Sequence, residues 1–177
     1  MINFKTLKIM KKLFLAAFAV FAFASVNAQD FGLTAGYISN SFDGEDSASG
    51  FSIGAFAVIE VSESFSVQPE VAYSNSSVDD ATYDLINVNA MARYSVSDQF
   101  SILAGPQLGF ASGDIPDALD AAFGDDFSSM NLQLAAGVSY DFTENIFAQA
   151  RYGFQLNEHV DGIGSVNTLS LGVGYRF

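Results

Sequence analysis

The chain has 177 residues, enough for about one domain, and a formal net charge of −13. It contains no Cys, which excludes a disulfide framework and thiolate metal sites. All four lysines lie in the first 28 residues, so residues 29–177 carry three arginines and 20 acidic residues, a net charge of −17. Such a charge repels nucleic acids and anionic surfaces, so we expect no nucleic-acid partner.

Residues 1–28 are typical of a secretory signal peptide. Lysines occupy its front, Leu13–Ala24 forms a short apolar core, and Val26-Asn27-Ala28 places small residues at a cleavage site. The alternative is a short membrane anchor, but the apolar core falls well below the roughly 20 residues that a membrane helix needs. We therefore predict cleavage after Ala28 and a single domain formed by residues 29–177.

The rest of the chain divides into eight runs in which apolar residues alternate with small or polar ones, the period of a β-strand. Each run is close to the 9–11 residues with which a tilted strand crosses a bilayer. The predicted strands are 30–38, 51–61, 65–74, 84–96, 100–110, 130–140, 146–156 and 166–177.

The predicted connections alternate in length, which is typical of outer-membrane barrels with their long loops outside. The short ones are 62–64, 97–99 and 141–145, and the long ones are 39–50, 75–83, 111–129 and 157–165. Within the longest loop, Asp117 to Phe123 is predicted to form one or two helical turns after Pro116.

The three arginines and the two mid-strand glutamates fall on the polar phase of the alternation. They are Glu60, Glu70, Arg93, Arg151 and Arg176. Because an Arg facing lipid costs about 2–4 kcal/mol at the bilayer midplane, we expect the apolar side chains to face lipid and the polar ones to face a lumen. A secreted lipocalin-type barrel would have the reverse arrangement. The predicted fold is all-β, an eight-stranded antiparallel up-and-down transmembrane β-barrel.

In the last predicted strand, apolar residues occupy every second position and the strand ends on a terminal aromatic residue. The apolar residues are Leu171, Val173, Tyr175 and Phe177. The ending Gly-Tyr-Arg-Phe resembles the C-terminal assembly signal of bacterial outer-membrane β-barrels. The resemblance implies residence in the outer membrane of a Gram-negative-type bacterium and a partner in the barrel-assembly machinery, reached through this strand.

Two prolines lie inside predicted strands, where they remove a backbone donor. The stretches Gln68-Pro69-Glu70 and Gly105-Pro106 resemble strand motifs of the small porin-like outer-membrane β-barrel domain family, the PorT-like group of eight-stranded barrels of the OmpA/OmpX type. The sequence departs from that pattern at Asn87-Val88-Asn89, where the family usually carries a proline. The family is mostly of unassigned function, so the resemblance implies a fold and a location.

The lumen charges Glu60, Glu70, Arg93, Arg151 and Arg176 could form a buried network, since a desolvated charge needs a partner. A structural plug is the favoured interpretation, because eight strands leave an interior about wide enough for side chains. A gate or a narrow ion path is the alternative.

Acidic loop residues are weak candidates for a divalent cation site, because carboxylates are hard oxygen ligands. They are Asp43, Glu45, Asp46, Asp125 and Asp126. Their spacing does not match an EF-hand, and a solvated rim is favoured over Ca²⁺ bridging to lipopolysaccharide phosphates. The single histidine, His159, could act as a catalytic base only with a positioned acid and nucleophile, which no spacing indicates.

We therefore expect no enzymatic activity, no cofactor and no metal. The hypothesis is a monomeric outer-membrane barrel with a structural or surface-interaction role, meaning envelope integrity, adhesion or binding through acidic loops. Its expected partners are outer-membrane lipid, including lipopolysaccharide, and the assembly machinery. The alternative is a narrow passive channel for ions or small solutes.

Overall fold

The computed structural model describes residues 30–42, 47–78, 81–124, 127–157 and 165–177. Eight antiparallel strands follow one another in chain order, and the last pairs with the first to close a barrel. The predicted fold class is confirmed. The elements are β1 Asp30–Phe42, β2 Ser47–Ser62, β3 Phe65–Val78, β4 Ala81–Ser95, β5 Phe100–Ser112, α1 Asp114–Phe123, β6 Met130–Asp141, β7 Ile146–Gln155 and β8 Val166–Arg176.

The short turns 63–64, 96–99 and 142–145 lie at one end of the barrel, which we call the turn end. The opposite end, where β1 meets β2 and β3 meets β4, is the loop end. None of the described helices is long and apolar enough to cross a membrane.

Four strands are three or four residues longer at the loop end than the sequence predicts, and β5 is two residues longer. β1 continues to Phe42 and β2 begins at Ser47, with Ser39 opposite Ser49 and Ser41 opposite Ser47. β3 and β4 likewise continue to Val78 and from Ala81. The predicted loops 39–50 and 75–83 are therefore wrong over most of their length. Apolar alternation stops at the membrane boundary, whereas backbone pairing continues past it with outward-facing serines.

Helix α1 begins at Asp114, three residues before the predicted start. Its first residue is held by β4, because Thr82 N and Thr82 Oγ1 donate to Asp114 Oδ2 at 3.2 and 3.0 Å, and Asp114 N donates to Thr82 Oγ1 at 3.1 Å. Gly113 precedes it at φ 109°, a conformation that favours glycine. Pro116 lies within the first turn, where backbone N–H groups have no partner in the helix anyway.

The outward face of the barrel carries the large exposed hydrophobic residues. On β2, the outward row runs from Phe51 to Val61, ten residue steps, and both ends of the row are exposed. At about 3.3 Å per residue and a tilt of about 40°, this run spans about 25 Å along the barrel axis, the height of an outer-membrane apolar band. Tyr37, Phe51 and Tyr73 mark its loop end, and Tyr94 and Tyr140 mark its turn end.

Candidate functional site

An ion pair crosses the barrel lumen between Glu70 on β3 and Arg151 on β7. Arg151 Nη2 donates to Glu70 Oε2 at 2.6 Å, and Arg151 Nη1 donates to Glu70 Oε1 at 3.1 Å. Their relative exposures are only 4% and 5%. In a closed barrel of eight strands, β3 and β7 lie on opposite walls, so this bidentate pair bridges the lumen from one wall to the other.

Neighbouring amides complete the surroundings of the Glu70 carboxylate. Asn89 Nδ2 donates to Glu70 Oε1 at 2.9 Å, and Gln68 Nε2 donates to Glu70 Oε2 at 3.4 Å. A buried carboxylate is tolerated when it is paired and its oxygens accept hydrogen bonds, as they do here.

A second ionic layer lies nearer the turn end. Asp141, at the end of β6, accepts from Arg93 Nη2 on β4 at 2.8 Å and from Arg176 Nη2 on β8 at 2.7 Å. Strands β4 and β8 also face each other across the barrel, with β6 midway between them. The two layers therefore close the lumen along different diameters.

Asp141 is the functional residue that sequence reasoning missed. It was assigned to a short turn, although it falls on the same strand phase as Gln133 and Ser139, which are buried in the lumen. Continuing that alternation by one step would have placed its carboxylate inside the barrel. The structure shows that this carboxylate joins two of the three arginines.

Aromatic rings also fill the lumen near the turn end. The Phe56 and Phe147 rings pack edge to face at a centroid distance of 5.5 Å, and the Arg176 guanidinium carbon lies 4.6 Å from the centre of the Phe147 ring. Both phenylalanines are almost completely buried. The expectation that the apolar side chains face lipid is therefore wrong for these two residues, which occupy the inward phase of β2 and β7.

Toward the loop end, hydrogen bonds join strands across the lumen. Asn40 Nδ2 donates to Ser76 Oγ at 2.9 Å, and Thr168 Oγ1 donates to Asn40 Oδ1 at 2.7 Å. Gln133 Nε2 donates to Thr168 Oγ1 at 3.0 Å. Above this layer an apolar cluster closes the mouth, formed by Tyr83, Leu85, Ala111 and Val166 with Ile115 of α1 packed against it.

Between these layers lies a cavity of about 60 Å³. Ser74, Asn89 and Gln149 are among its lining residues, and Ser74 Oγ, Asn89 Oδ1 and Gln149 Oε1 are buried oxygens without a protein hydrogen-bond partner. A polar cavity of this size accommodates a few water molecules. The middle of the lumen is therefore a small polar chamber enclosed by ionic and aromatic layers on one side and a hydrogen-bonded layer on the other.

The remaining predicted site residues lie elsewhere. Glu60 is exposed beside a β-bulge at the turn end of β2. The proposed assembly signal Leu171, Val173, Tyr175 and Phe177 is exposed on the outward face of β8 and at the terminus. Residues 1–28, Asp43, Glu45, Asp46, Asp125, Asp126 and His159 lie outside the described residues. Within the described ranges, no group of three or more His, Cys, Asp or Glu could hold a metal ion.

The sequence matches the family model of the outer membrane protein beta-barrel domain over residues 13–177. The chain belongs to this family. The predicted resemblance to outer-membrane barrels is confirmed, while assignment to the PorT-like group stays a prediction. Membership implies the bacterial outer membrane, in which short barrel turns face the periplasm, so the loop end is extracellular.

Solved outer-membrane barrels share this fold at low sequence identity. Ail, the attachment invasion locus protein of Yersinia pestis, is 22% identical with a TM-score of 0.54, covering 84% of this chain and 98% of Ail. Neisserial surface protein A is 21% identical with a TM-score of 0.55 over 83% of this chain and 94% of its own. The N-terminal β-barrel domain of Pseudomonas aeruginosa OprF is 18% identical with a TM-score of 0.51 over 85% and 99%. Comparison with curated proteins gave no match.

Proposed function

We propose that the protein is a closed, non-conducting outer-membrane barrel with a structural and surface-interaction role. One observation carries this proposal: the Glu70–Arg151 pair and the Arg93–Asp141–Arg176 triad cross the lumen along different diameters. Between them, these layers use all three arginines of residues 29–177. All three arginines therefore join strands across the interior, and such cross-links favour a rigid barrel over an open channel.

The acidic extracellular end is the candidate interaction surface. Asp84, Asp114, Asp117 and Asp120 lie at this end, and residues 29–177 contain no lysine. Ail has been solved with the heparin analogue sucrose octasulfate, which is a polyanion. The same type of ligand would be repelled here, so the proposed partner is a cationic surface or one bridged by divalent cations.

The proposal has three further parts. A cleaved signal peptide exports the chain, which the apolar core of residues 13–24 supports, and the C-terminal strand directs insertion, which the alternation of β8 supports. The barrel is a monomer, which the absence of a free sheet edge in the closed barrel supports.

A narrow passive channel is the second candidate, favoured by the polar chamber near Asn89 and Gln149. Planar-bilayer recordings of refolded protein distinguish the two, with heat-modifiable gel mobility as the check that the sample is folded. We expect no discrete conductance steps above those of a protein-free bilayer. Reproducible steps from folded protein would reject the closed barrel and support the channel.

A further inference from the structure

The strands that rise beyond the apolar band at the loop end carry an outward face of hydroxyl groups. Strand alternation places Ser39 on the same outward phase as Leu33 and Tyr37, and the register then aligns serines from strand to strand. Ser39 is opposite Ser49, Ser49 is opposite Ser77, and Ser77 is opposite Thr82. We call this surface the hydroxyl wall, and it consists of Ser39, Ser41, Ser47, Ser49 and Ser77. The hydroxyl of Thr82, at its edge, is already bonded to Asp114.

The hydroxyl wall has one accessible side only. Its inward side is packed into the barrel mouth, where Ile38, Asn40, Ala48 and Tyr83 are buried. The outward side is continuous with the membrane-facing surface below it. Any partner of the wall must therefore approach from the lipid side of the barrel.

Aromatic residues connect the wall to the apolar band. Tyr37 OH donates to Ser49 Oγ at 2.8 Å, which ties the aromatic ring at the loop end of the apolar band on β1 to a serine of the wall on β2. Tyr73 OH and Asn75 Nδ2 donate to Asp84 Oδ1 at 3.2 and 2.5 Å in the same zone of β3 and β4. The wall thus begins directly above the outer boundary of the hydrocarbon, at the depth of the lipid headgroups.

The wall covers one side of the barrel. On β6 and β7, the outward residues nearest the loop end are the apolar Met130 and Phe154, whereas β5 and β8 each carry one polar outward residue there, Ser112 and Asn167. In the described part of the chain, these four strands have no paired extension comparable to the β1–β2 and β3–β4 hairpins. The row of aligned hydroxyl groups is therefore a feature of β1 to β4.

Charge determines which headgroup chemistry suits this wall. No lysine occurs in residues 29–177, and the three arginines are held in the lumen by Glu70 and Asp141. The wall therefore offers no cation of its own to pair with phosphate, the usual basis of strong phosphate binding. Hydroxyl groups that donate and accept suit the hydroxyls of a sugar instead.

We propose that the hydroxyl wall binds the uncharged sugar groups of outer-leaflet glycolipids. The proposal goes beyond the proposed function and rests on the outer-membrane placement of the barrel. It predicts that neutral glycolipid collects around β1 to β4 in preference to zwitterionic or anionic phospholipid.

The test compares lipids retained by the refolded protein. Wild type is reconstituted in phosphatidylcholine containing a minor fraction of either a neutral diglucosyl diacylglycerol or phosphatidylglycerol, and lipids that remain bound after extraction are counted by native mass spectrometry. We expect roughly fivefold enrichment of the glycolipid over its bulk fraction, the effect of about one net hydrogen bond, and none for phosphatidylglycerol.

Two triple variants locate the binding. S39A/S49A/S77A removes hydroxyls from the wall and should abolish the enrichment, whereas S62A/S64A/S97A removes three exposed serines at the opposite, turn end of the barrel and should retain it. Heat-modifiable mobility verifies folding, and S49A alone replaces the first variant if that variant does not fold.

Absence of glycolipid enrichment in wild type, or its persistence in S39A/S49A/S77A, would overturn the proposal. Stronger retention of phosphatidylglycerol that requires Ca²⁺ would also overturn it, in favour of bridged phosphate. None of these outcomes affects the closed barrel, which the conductance recordings test separately.

Discussion

Glu70 is the residue on which the lumen depends most. Its buried carboxylate accepts from Arg151, Asn89 and Gln68 at the side of the small polar chamber. A buried ion pair adds little net stability compared with apolar residues of the same size, but loss of one partner leaves the other charge unpaired. Arg151 would then be an isolated cation in the middle of the barrel.

Replacing Glu70 with Gln should therefore destabilise the folded barrel strongly. We expect Glu70→Gln to lower the free energy of unfolding by about 3–5 kcal/mol, because the Arg151 guanidinium remains buried without its counter-ion. Urea titration of protein folded in phospholipid vesicles measures this change. Glu63→Gln, in the exposed β2–β3 turn, is the control and should stay within about 0.5 kcal/mol of wild type.

The double variant Glu70→Gln/Arg151→Met separates lost pairing from lost packing. It removes the stranded cation and should recover more than half of the stability that Glu70→Gln loses. Equal instability of the single and double variants would mean that the charge itself is not the cause.

Four of the five charges predicted in the lumen lie inside the barrel, but Glu60 is exposed at the turn end of β2. The alternation also does not group the other four. Glu70, Arg93 and Arg151 share the inward phase, yet Arg93 pairs with Asp141 and not with Glu70. The phase of the alternation determines whether a side chain points into the lumen or out to the lipid. Its height along the barrel axis depends on the register between neighbouring strands. That register was not predictable from the alternation, and so neither was the division into two layers.

At the scale of the element, β8 combines a lipid-facing row with an inward row of small residues. Its inward glycines leave room for side chains from other strands. A methyl group at Gly174 would overlap the Phe147 ring, whereas at Gly172 the nearest atom, Ala35 O, would lie 3.1 Å away. The aromatic layer of the lumen thus depends on the missing side chain at Gly174.

Substitution of Gly174 tests this packing. Gly174→Ala should lower the free energy of unfolding by about 1–3 kcal/mol, because the Phe147 ring must leave its position between Phe56 and Arg176. Gly172→Ala, on the same strand and the same face, should cost less, since its neighbours need to shift only slightly. The two variants are compared by urea titration in vesicles, and equal losses would reject the role assigned to Phe147.

Element boundaries show the limit of the hydrophobic pattern. The run that ends at Ile38 in the sequence continues as strand to Phe42, because Ser39 and Ser41 pair with β2 without any apolar contrast to reveal it. The inward Phe56 was hidden for the opposite reason. It lies within the continuous apolar run Ala55–Ile59, where alternation cannot be recognised.

For the whole molecule, the eight strands and the inward phase of Glu70 and the three arginines were predictable, since both depend on which side chains can face a bilayer. How the barrel reaches the membrane is still a prediction. Phe177 is 72% exposed and donates its backbone N–H to Phe31 O at 2.8 Å. Its ring contacts Tyr175 edge to face at a centroid distance of 5.4 Å. Little of the folded barrel depends on that ring, which is consistent with a role during assembly.

Phe177→Ala should therefore separate assembly from stability. We expect the refolded variant to lose about 1 kcal/mol or less, the value of an aromatic pair, while the amount of folded protein in the outer-membrane fraction of cells falls several-fold. Phe100→Ala, which removes another outward aromatic residue at the turn end, is the matched control and should lower stability to a similar extent without the loss from the membrane. Heat-modifiable mobility of the fractions measures the folded amount. If both variants reach the membrane equally, the terminal aromatic residue is not read by the assembly machinery, and its place at the end of β8 reflects only the aromatic row at the periplasmic boundary.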